Sequence, residues 1–479
     1  MNPGDGATSA PTAEATQATE SSADTNTNRR QPFPQGFLDS ISSGWSSRPE
    51  SAPLPRAQAS FAAARRARVS EAFPGKRLVI PAGEPKQRSN DTDYPFRAHS
   101  AFSHLTGWGA DSEAGAVLVF EPRDAAGGHD VTLHFRERAD RTTSEFYSDA
   151  SIGEFWIGPR AALDAVAVDL GIPTAHIDRF ESHDGDLVLD EDDALTRFVS
   201  ELRFVKDDYE IEQMRLAVDV TAAGFDDIVR ELPAILEHPR GERVVEGVFH
   251  RRARSDGNGE GYDTIAASGP HACYLHWTRN DGAVMPGDLI LIDAGVEVDS
   301  LYTADITRTL PVSGRFTDVQ RRVYETVREA ADAAFAAARP GVRFRDVHAA
   351  AMEVIARRVA EWGLLPVTAE EALDADRGGQ HRRYMVHGTS HHLGIDVHDC
   401  AQARREMYYD GLLEPGMVFT IEPGLYFQID DLTVPEELRG IGVRIEDDIL
   451  MTADGPVNLS AGIPRTADEV EAWIAAASA

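Results

Sequence analysis

The sequence predicts an α/β protein of α+β organisation, with a mixed α/β N-terminal domain over 37–204 and a larger C-terminal domain over 205–479, behind a disordered tail at 1–36. Three observations carry this expectation. The chain has 479 residues, more than one hydrophobic core usually fills. Through its first half, short apolar runs alternate with helical and loop stretches, the pattern of a mixed sheet-and-helix layer. Past residue 205 the apolar runs are again short and bounded by Gly or Pro, and each carries a carboxylate at or near one end.

The tail is composed of small polar residues with almost nothing to bury, so ordering it would cost entropy without return. An Arg-rich amphipathic stretch, Ala62 to Phe73, precedes a strand at Leu78-Val-Ile-Pro81, and strands are expected at Ala116–Phe120 and Val131–Phe135. A helix over about Asp207 to Leu232 places Ile211, Met214, Val218, Phe225, Ile228 and Leu232 at three- and four-residue spacing, with acids in its first turn. Thr317-Asp-Val-Gln320 reads as a capping box opening an Ala-rich helix that Pro340-Gly341 stops, and another helix should follow near Arg345 to Trp362. Buried strands are expected within Asp288–Gly295, Met417–Gly424 and Gly442–Asp448. No short-period internal repeat is visible.

Composition excludes several classes of function. With 79 acidic against 47 basic side chains, a formal net charge of -32 and a pI near 4.8, the chain lacks the clustered cations that phosphate backbones require, so no nucleic-acid partner is expected. Two cysteines, Cys273 and Cys400, are too few for a disulfide framework and fit a reducing compartment, the cytoplasm by default. No apolar run is long enough to span a bilayer, and Arg29-Arg30 is followed by no hydrophobic core, so neither membrane nor export is expected.

Chemistry concentrates in the C-terminal half. Asp293, Glu422 and Glu446 each follow mainly apolar residues. A carboxylate buried at a strand end is costly unless its charge is compensated. One such acid alone is most simply a cap or half of an ion pair; three, without a matching set of adjacent Lys or Arg, favour a metal. Asp305, in Tyr302-Thr-Ala-Asp-Ile-Thr-Arg-Thr309, adds a fourth acid whose bland alternative is a pair with Arg308. The segment Val386 to Asp399 contributes four of the 16 histidines, a density that structure alone explains weakly. Four carboxylates and one imidazole form a hard, oxygen-rich donor set suited to Mn²⁺, Co²⁺ or Fe²⁺ rather than thiolate-bound zinc. So many charges imply two divalent ions, an arrangement that serves hydrolysis.

These motifs, in this order over about residues 205 to 450, resemble the metal-dependent M24 peptidases of pita-bread fold, and within them the Xaa-Pro aminopeptidases. Tyr94-Pro-Phe-Arg-Ala-His-Ser-Ala-Phe102 with Leu105-Thr-Gly107 is similar to the N-terminal domain of that subgroup. The resemblance implies that Asp293, Asp305, His391, Glu422 and Glu446 are the metal ligands, with Asp305 and Glu446 bridging both ions and Glu422 also accepting the proton of the attacking water. It implies that His276, His387 and His398 bind substrate and move protons, and that Tyr426 and Arg444 belong to the pocket. Phe155-Trp156-Ile-Gly158 resembles a segment whose Trp, here Trp156, approaches the site, in some members from a neighbouring subunit, so a homo-oligomer, dimer or tetramer, is expected. One departure is His392, where the family often has Trp directly after the ligand histidine; it bears on pocket polarity.

The expected activity is release of the N-terminal residue from peptides with proline second, by a hydroxide bridging two metal ions. A tertiary X-Pro amide has no N–H and a fixed ring, so peptidases that need that donor fit it poorly. Prolidase action confined to Xaa-Pro dipeptides is the alternative within the same chemistry. A non-catalytic pita-bread binding module is the alternative outside it, although such modules lose ligands and all five are present here.

Overall fold

A computed structural model describes residues 33–46, 53–90, 92–123 and 127–477. Most of the expected tail, 1–32, lies outside the described residues, and a helix, Gln35–Ile41, begins within its last positions. The chain forms two compact units. The smaller gathers the described parts of 1–48, 86–94 and 138–160, and the larger contains 49–85, 95–137 and 161–479.

In the smaller unit, Phe33, Phe37 and Tyr147 cluster edge-to-face and stacked. Its short helix Glu154–Ile157 carries the exposed residues Phe155, Trp156 and Ile157.

The larger unit holds two principal hydrophobic cores. One, built from residues between Val69 and Leu202, lies against a five-stranded sheet in the order Thr174–His176, His129–Phe135, Val117–Pro122, Leu78–Pro81, Leu187–Val188. Its inner pairings are antiparallel and its two outer ones parallel. The second core runs from Phe204 to Ile474, so the change of core falls between Leu202 and Phe204.

The long helix of the second core spans Asp208–Glu237, and its start is fixed by a reciprocal capping box between Asp207 and Glu210. It continues past the expected stop at Leu232 and through Pro233. Pro there removes one N–H, yet the helix continues for one more turn and buries Ile235 fully. The Thr317 capping box and the following helices, Asp318–Ala337 and Phe344–Glu361, stand where the sequence puts them.

What positions the site is the same construction used twice. Strand Leu289–Ala294 pairs antiparallel with Ile306–Pro311, with Asp293 opposite Thr307. Asp293 therefore ends one strand where Asp305 leads into the other. Strand Val418–Ile421 pairs antiparallel with Asp447–Thr452, with Ile421 opposite Asp447, so Glu422 follows one strand where Glu446 precedes the other. The last two apolar runs are each broken in the middle, and Gly424–Tyr426 and Gly442–Arg444 form a separate antiparallel pair. The two breaks hold Glu422 and Glu446. Gly295 permits the turn after Asp293, because a Cβ there would lie 1.8 Å from the carbonyl oxygen of Ala304.

Arg308 ties the two constructions together. Its guanidinium is fully buried and donates to Asp447 Oδ1 at 2.7 Å, to the carbonyl oxygens of Thr307 and Glu446, and to that of Pro464. It does not pair with Asp305; Asp447 takes it instead, held low by the Arg308 and Arg465 guanidinium groups despite its burial. Replacing Arg308 with Met should destabilise the fold by about 3 kcal/mol, since it strands buried acceptors and half of a buried pair. Chemical denaturation checks this, and a loss under about 1 kcal/mol would assign Arg308 no structural role.

Candidate metal and peptide site

The two strand ends open on one cavity of about 750 Å³, lined by Asp293, Asp305, His391, Glu422 and Glu446 together with His276, His387, His398, Arg444 and Tyr262. His391 reaches the carboxylates because residues 389–393 run beside strand Val418–Ile421. Thr420 N–H donates to His391 O at 2.9 Å and Glu422 N–H to Thr389 O at 2.8 Å. His391 Nε2 lies 3.2 Å from Asp305 Oδ2, 3.7 Å from Glu422 Oε1 and 4.0 Å from Glu446 Oε1. Asp305, His391 and Glu446 each offer a donor atom, all within 4.8 Å of one another.

The charges are unbalanced. Burial pushes Glu422 up to about 8, with Asp305 and Asp293 adding like-charge repulsion, and it raises Glu446 and Asp305 as well. Burial alone would lower His391, but its hydrogen bond to Asp305 and the nearby Glu422 carboxylate outweigh that and raise it to about 9. Arg444 donates from Nη2 to Asp293 Oδ2 at 2.5 Å, which compensates only one of the four acids. Such a set of hard oxygen donors with one imidazole fits divalent cations of the Mn²⁺, Co²⁺ or Fe²⁺ kind.

Around the acids stands a shell that sequence reasoning missed in part. Tyr262 places its hydroxyl 2.6 Å from both Asp293 Oδ1 and Asp305 Oδ1; nothing in the spacing of Gly261-Tyr-Asp263 announces this. Asp448, fully buried, accepts from Asp305 N–H at 3.2 Å and is raised by burial and by the Asp305 charge. Thr307 donates to Glu446 Oε2 at 2.7 Å, and Thr309 donates to Arg444 O at 2.9 Å. The period-two alternation of Thr307 and Thr309 about Arg308 was the signal for these two.

Two expected residues, Tyr426 and His392, stand differently. Tyr426 does not line the cavity: it is buried behind it, its hydroxyl 2.8 Å from His387 Nε2 and 3.1 Å from Arg444 Nη1, two residues that do line it. Trp156 belongs to the smaller unit, half exposed, its indole N–H bonded to Tyr147 O at 2.8 Å. His392 does not set pocket polarity. It is buried among the rings of Phe204, Phe344 and Tyr408, and burial holds it at about 3.

The model of metallopeptidase family M24 matches residues 212–453, and that of the aminopeptidase P N-terminal domain matches 62–194. The chain belongs to metallopeptidase family M24. It is 49% identical to Xaa-Pro aminopeptidase 1 of Streptomyces coelicolor, over 92% of each chain. Among solved structures it matches Pseudomonas aeruginosa aminopeptidase PepP with a TM-score of 0.76 at 30% identity, covering 89% of this chain and 100% of that one. It also matches zinc-substituted Escherichia coli aminopeptidase P in complex with product, with a TM-score of 0.74 at 31% identity, covering 88% and 98%. Within M24 the chain thus stands with the Xaa-Pro aminopeptidases, and its C-terminal part has their pita-bread fold.

The raised values give this M24 site a measurable signature. Burial raises Glu422, and the hydrogen bond to Asp305 with the neighbouring acidic charge raises His391, so the metal-free cluster retains protons near neutrality. If Glu422 and His391 hold a cation, which needs the carboxylate ionised and the imidazole neutral, binding expels protons at pH 7 and the release fades at high pH. Calorimetric titration of metal-free protein with Mn²⁺ in buffers of different ionisation enthalpy should show net release of at least about one proton at pH 7. No buffer dependence would contradict these proton assignments.

Proposed function

We propose that the chain is a metal-dependent Xaa-Pro aminopeptidase in which Asp293, Asp305, His391, Glu422 and Glu446 hold two divalent ions, Mn²⁺ before Co²⁺ or Fe²⁺. The observation that carries this reading is the convergence of four acids, three of them buried and Glu422 partly so, and one imidazole on a single cavity in a chain of this family. Two such ions would act as Lewis acids on the scissile carbonyl and activate the attacking water. Glu422, a carboxylate at the cavity wall beside His391 and Asp305, is suited to accept the proton of that water.

His276 and His387 line the cavity and are placed to hydrogen-bond the peptide. His387 is held at about 3 by burial and the Arg444 charge, so it stays neutral, and its contact with Tyr426 fixes its ring. His398, its ring centroid 4.5 Å from that of His391, is lowered by burial and by the His391 charge. Lining the cavity, it is placed to pass a proton on to the departing proline nitrogen. Arg444 holds Asp293 in place from the pocket wall.

The 49% identity to a Xaa-Pro aminopeptidase supports an aminopeptidase over a prolidase. Assays with Mn²⁺ should show cleavage of Xaa-Pro-Yaa peptides at the bond before proline; activity confined to Xaa-Pro dipeptides would make the protein a prolidase. His398→Ala should lower kcat by about 10²-fold or more while leaving bound metal near the wild-type level. Loss of metal in that variant would make His398 a ligand.

The stretches matched by the two family models, and the change of core at Leu202 to Phe204, support a domain boundary at 204/205. Among the described residues no helix is long and apolar enough to cross a membrane, which together with two buried free thiols supports a cytoplasmic setting. The exposed Phe155, Trp156 and Ile157 support assembly into a dimer or tetramer.

A further inference from the structure

Behind the histidine segment lies a buried charge cluster that the proposed chemistry does not use. Asp399 is 1% exposed. Its Oδ1 accepts from Arg203 Nε at 2.7 Å and from Cys400 N–H at 2.9 Å, and its Oδ2 accepts from Lys206 Nζ at 3.1 Å. Lys206 Nζ also donates to Arg203 O at 2.7 Å, so both cations are anchored at the entry to the long helix.

Two further observations show that the cluster is built for place rather than for bulk. Lys76, Lys86 and Lys206 are the only lysines among 47 basic side chains, and Lys206 alone of them is buried, its side chain fully so. A guanidinium would be larger, and the site has no slack: a Cβ on Gly394 would stand 2.3 Å from Asp399 Oδ2 and 2.8 Å from Lys206 Cε. Cys400 meanwhile sits at φ 60°, in left-handed backbone that a residue with a side chain adopts only when its surroundings hold it there.

The cluster connects to the site through one carbonyl. Asp399 N–H donates to His392 O at 2.9 Å, and His391 Nδ1 lies 3.1 Å from the same oxygen. Both lone pairs of His392 O are thus occupied, and the His391 ring must carry its hydrogen on Nδ1, which turns the Nε2 lone pair toward Asp305 and Glu446. The neighbouring residue, His398, is carried by the same loop into the cavity.

We propose that Asp399, clamped by Arg203 and Lys206, is the positioning residue that orients the His391 ring for metal binding and sets the place of His398. This rests on the metallopeptidase reading above. A partner that fixes the free nitrogen of a ligating imidazole typically accounts for 10- to 100-fold in metal affinity.

The test uses the full chain, stripped of metal and titrated with Mn²⁺ alone, with thermal unfolding followed in parallel. D399N should weaken Mn²⁺ binding by about 10-fold or more, alter the visible spectrum of the Co²⁺-loaded protein, and lower kcat with little change in KM. Because D399N also leaves two buried cations short of one negative charge, the double variant D399N/K206M separates charge from place. It should recover the unfolding temperature while Mn²⁺ binding stays weak. Recovery of both, or wild-type affinity in D399N, would overturn the proposal. If D399N does not fold, D399E, which keeps the charge and shifts the carboxylate by one methylene, is read in its place: weakened Mn²⁺ binding supports the proposal and unchanged binding overturns it. Wild-type protein that takes up no metal would instead sink the metallopeptidase reading itself.

Discussion

Carboxylates of like charge, taken out of water into one cavity, cannot all ionise unless something positive joins them. Asp293, Asp305, Glu422 and Glu446 are in that position, and among the described residues Arg444 is the only permanent cation bonded directly to any of them. The protein leaves a charge gap that protons fill only in part and divalent ions can fill completely. The contacts around the cavity brace the acids without neutralising them: Tyr262 bridges two, Thr307 holds a third, and Asp448, pushed up by burial and the Asp305 charge, accepts from the Asp305 backbone.

Backbone geometry makes the arrangement possible at low cost. An antiparallel pair brings the end of one strand beside the start of the next, so an acid just after one strand and an acid just before the other meet without any long-range search. The chain does this with Asp293 and Asp305, and again with Glu422 and Glu446. Arg308 and the Thr307 and Thr309 side chains then bind the two pairs into one rigid wall. Charges compensated elsewhere, such as Asp447 by Arg308 and Asp399 by Arg203 and Lys206, leave no gap to fill.

Much of this was legible in the sequence. The cap at Thr317, the helix start at Asp207 with its first-turn acids, the strand at Leu78–Pro81 and the acid-ended apolar runs all carry short-range signals that survive folding. The five expected ligands converge because their motifs encode local geometry as well as side-chain type. What the sequence hid depends on distance in the chain. Tyr262 lies far from Asp293 and Asp305 in sequence, and Tyr426 looks like a pocket residue until His387 and Arg444 are seen to stand in front of it. The orientation of His392 depends on Phe204, Phe344 and Tyr408, three residues with no motif in common. The stop expected at Leu232 failed: the helix runs through Pro233 to Glu237 with Ile235 buried, a tertiary contact that local propensity does not contain.

The central claim is that this charge gap is the seat of two metal ions. Anomalous diffraction from crystals equilibrated with Mn²⁺ tests it most directly. The account predicts two peaks inside the cavity, both within bonding distance of Asp305 and Glu446. One of them should also contact Asp293, and the other His391 and Glu422. A single peak, or peaks only at surface carboxylates, would contradict it.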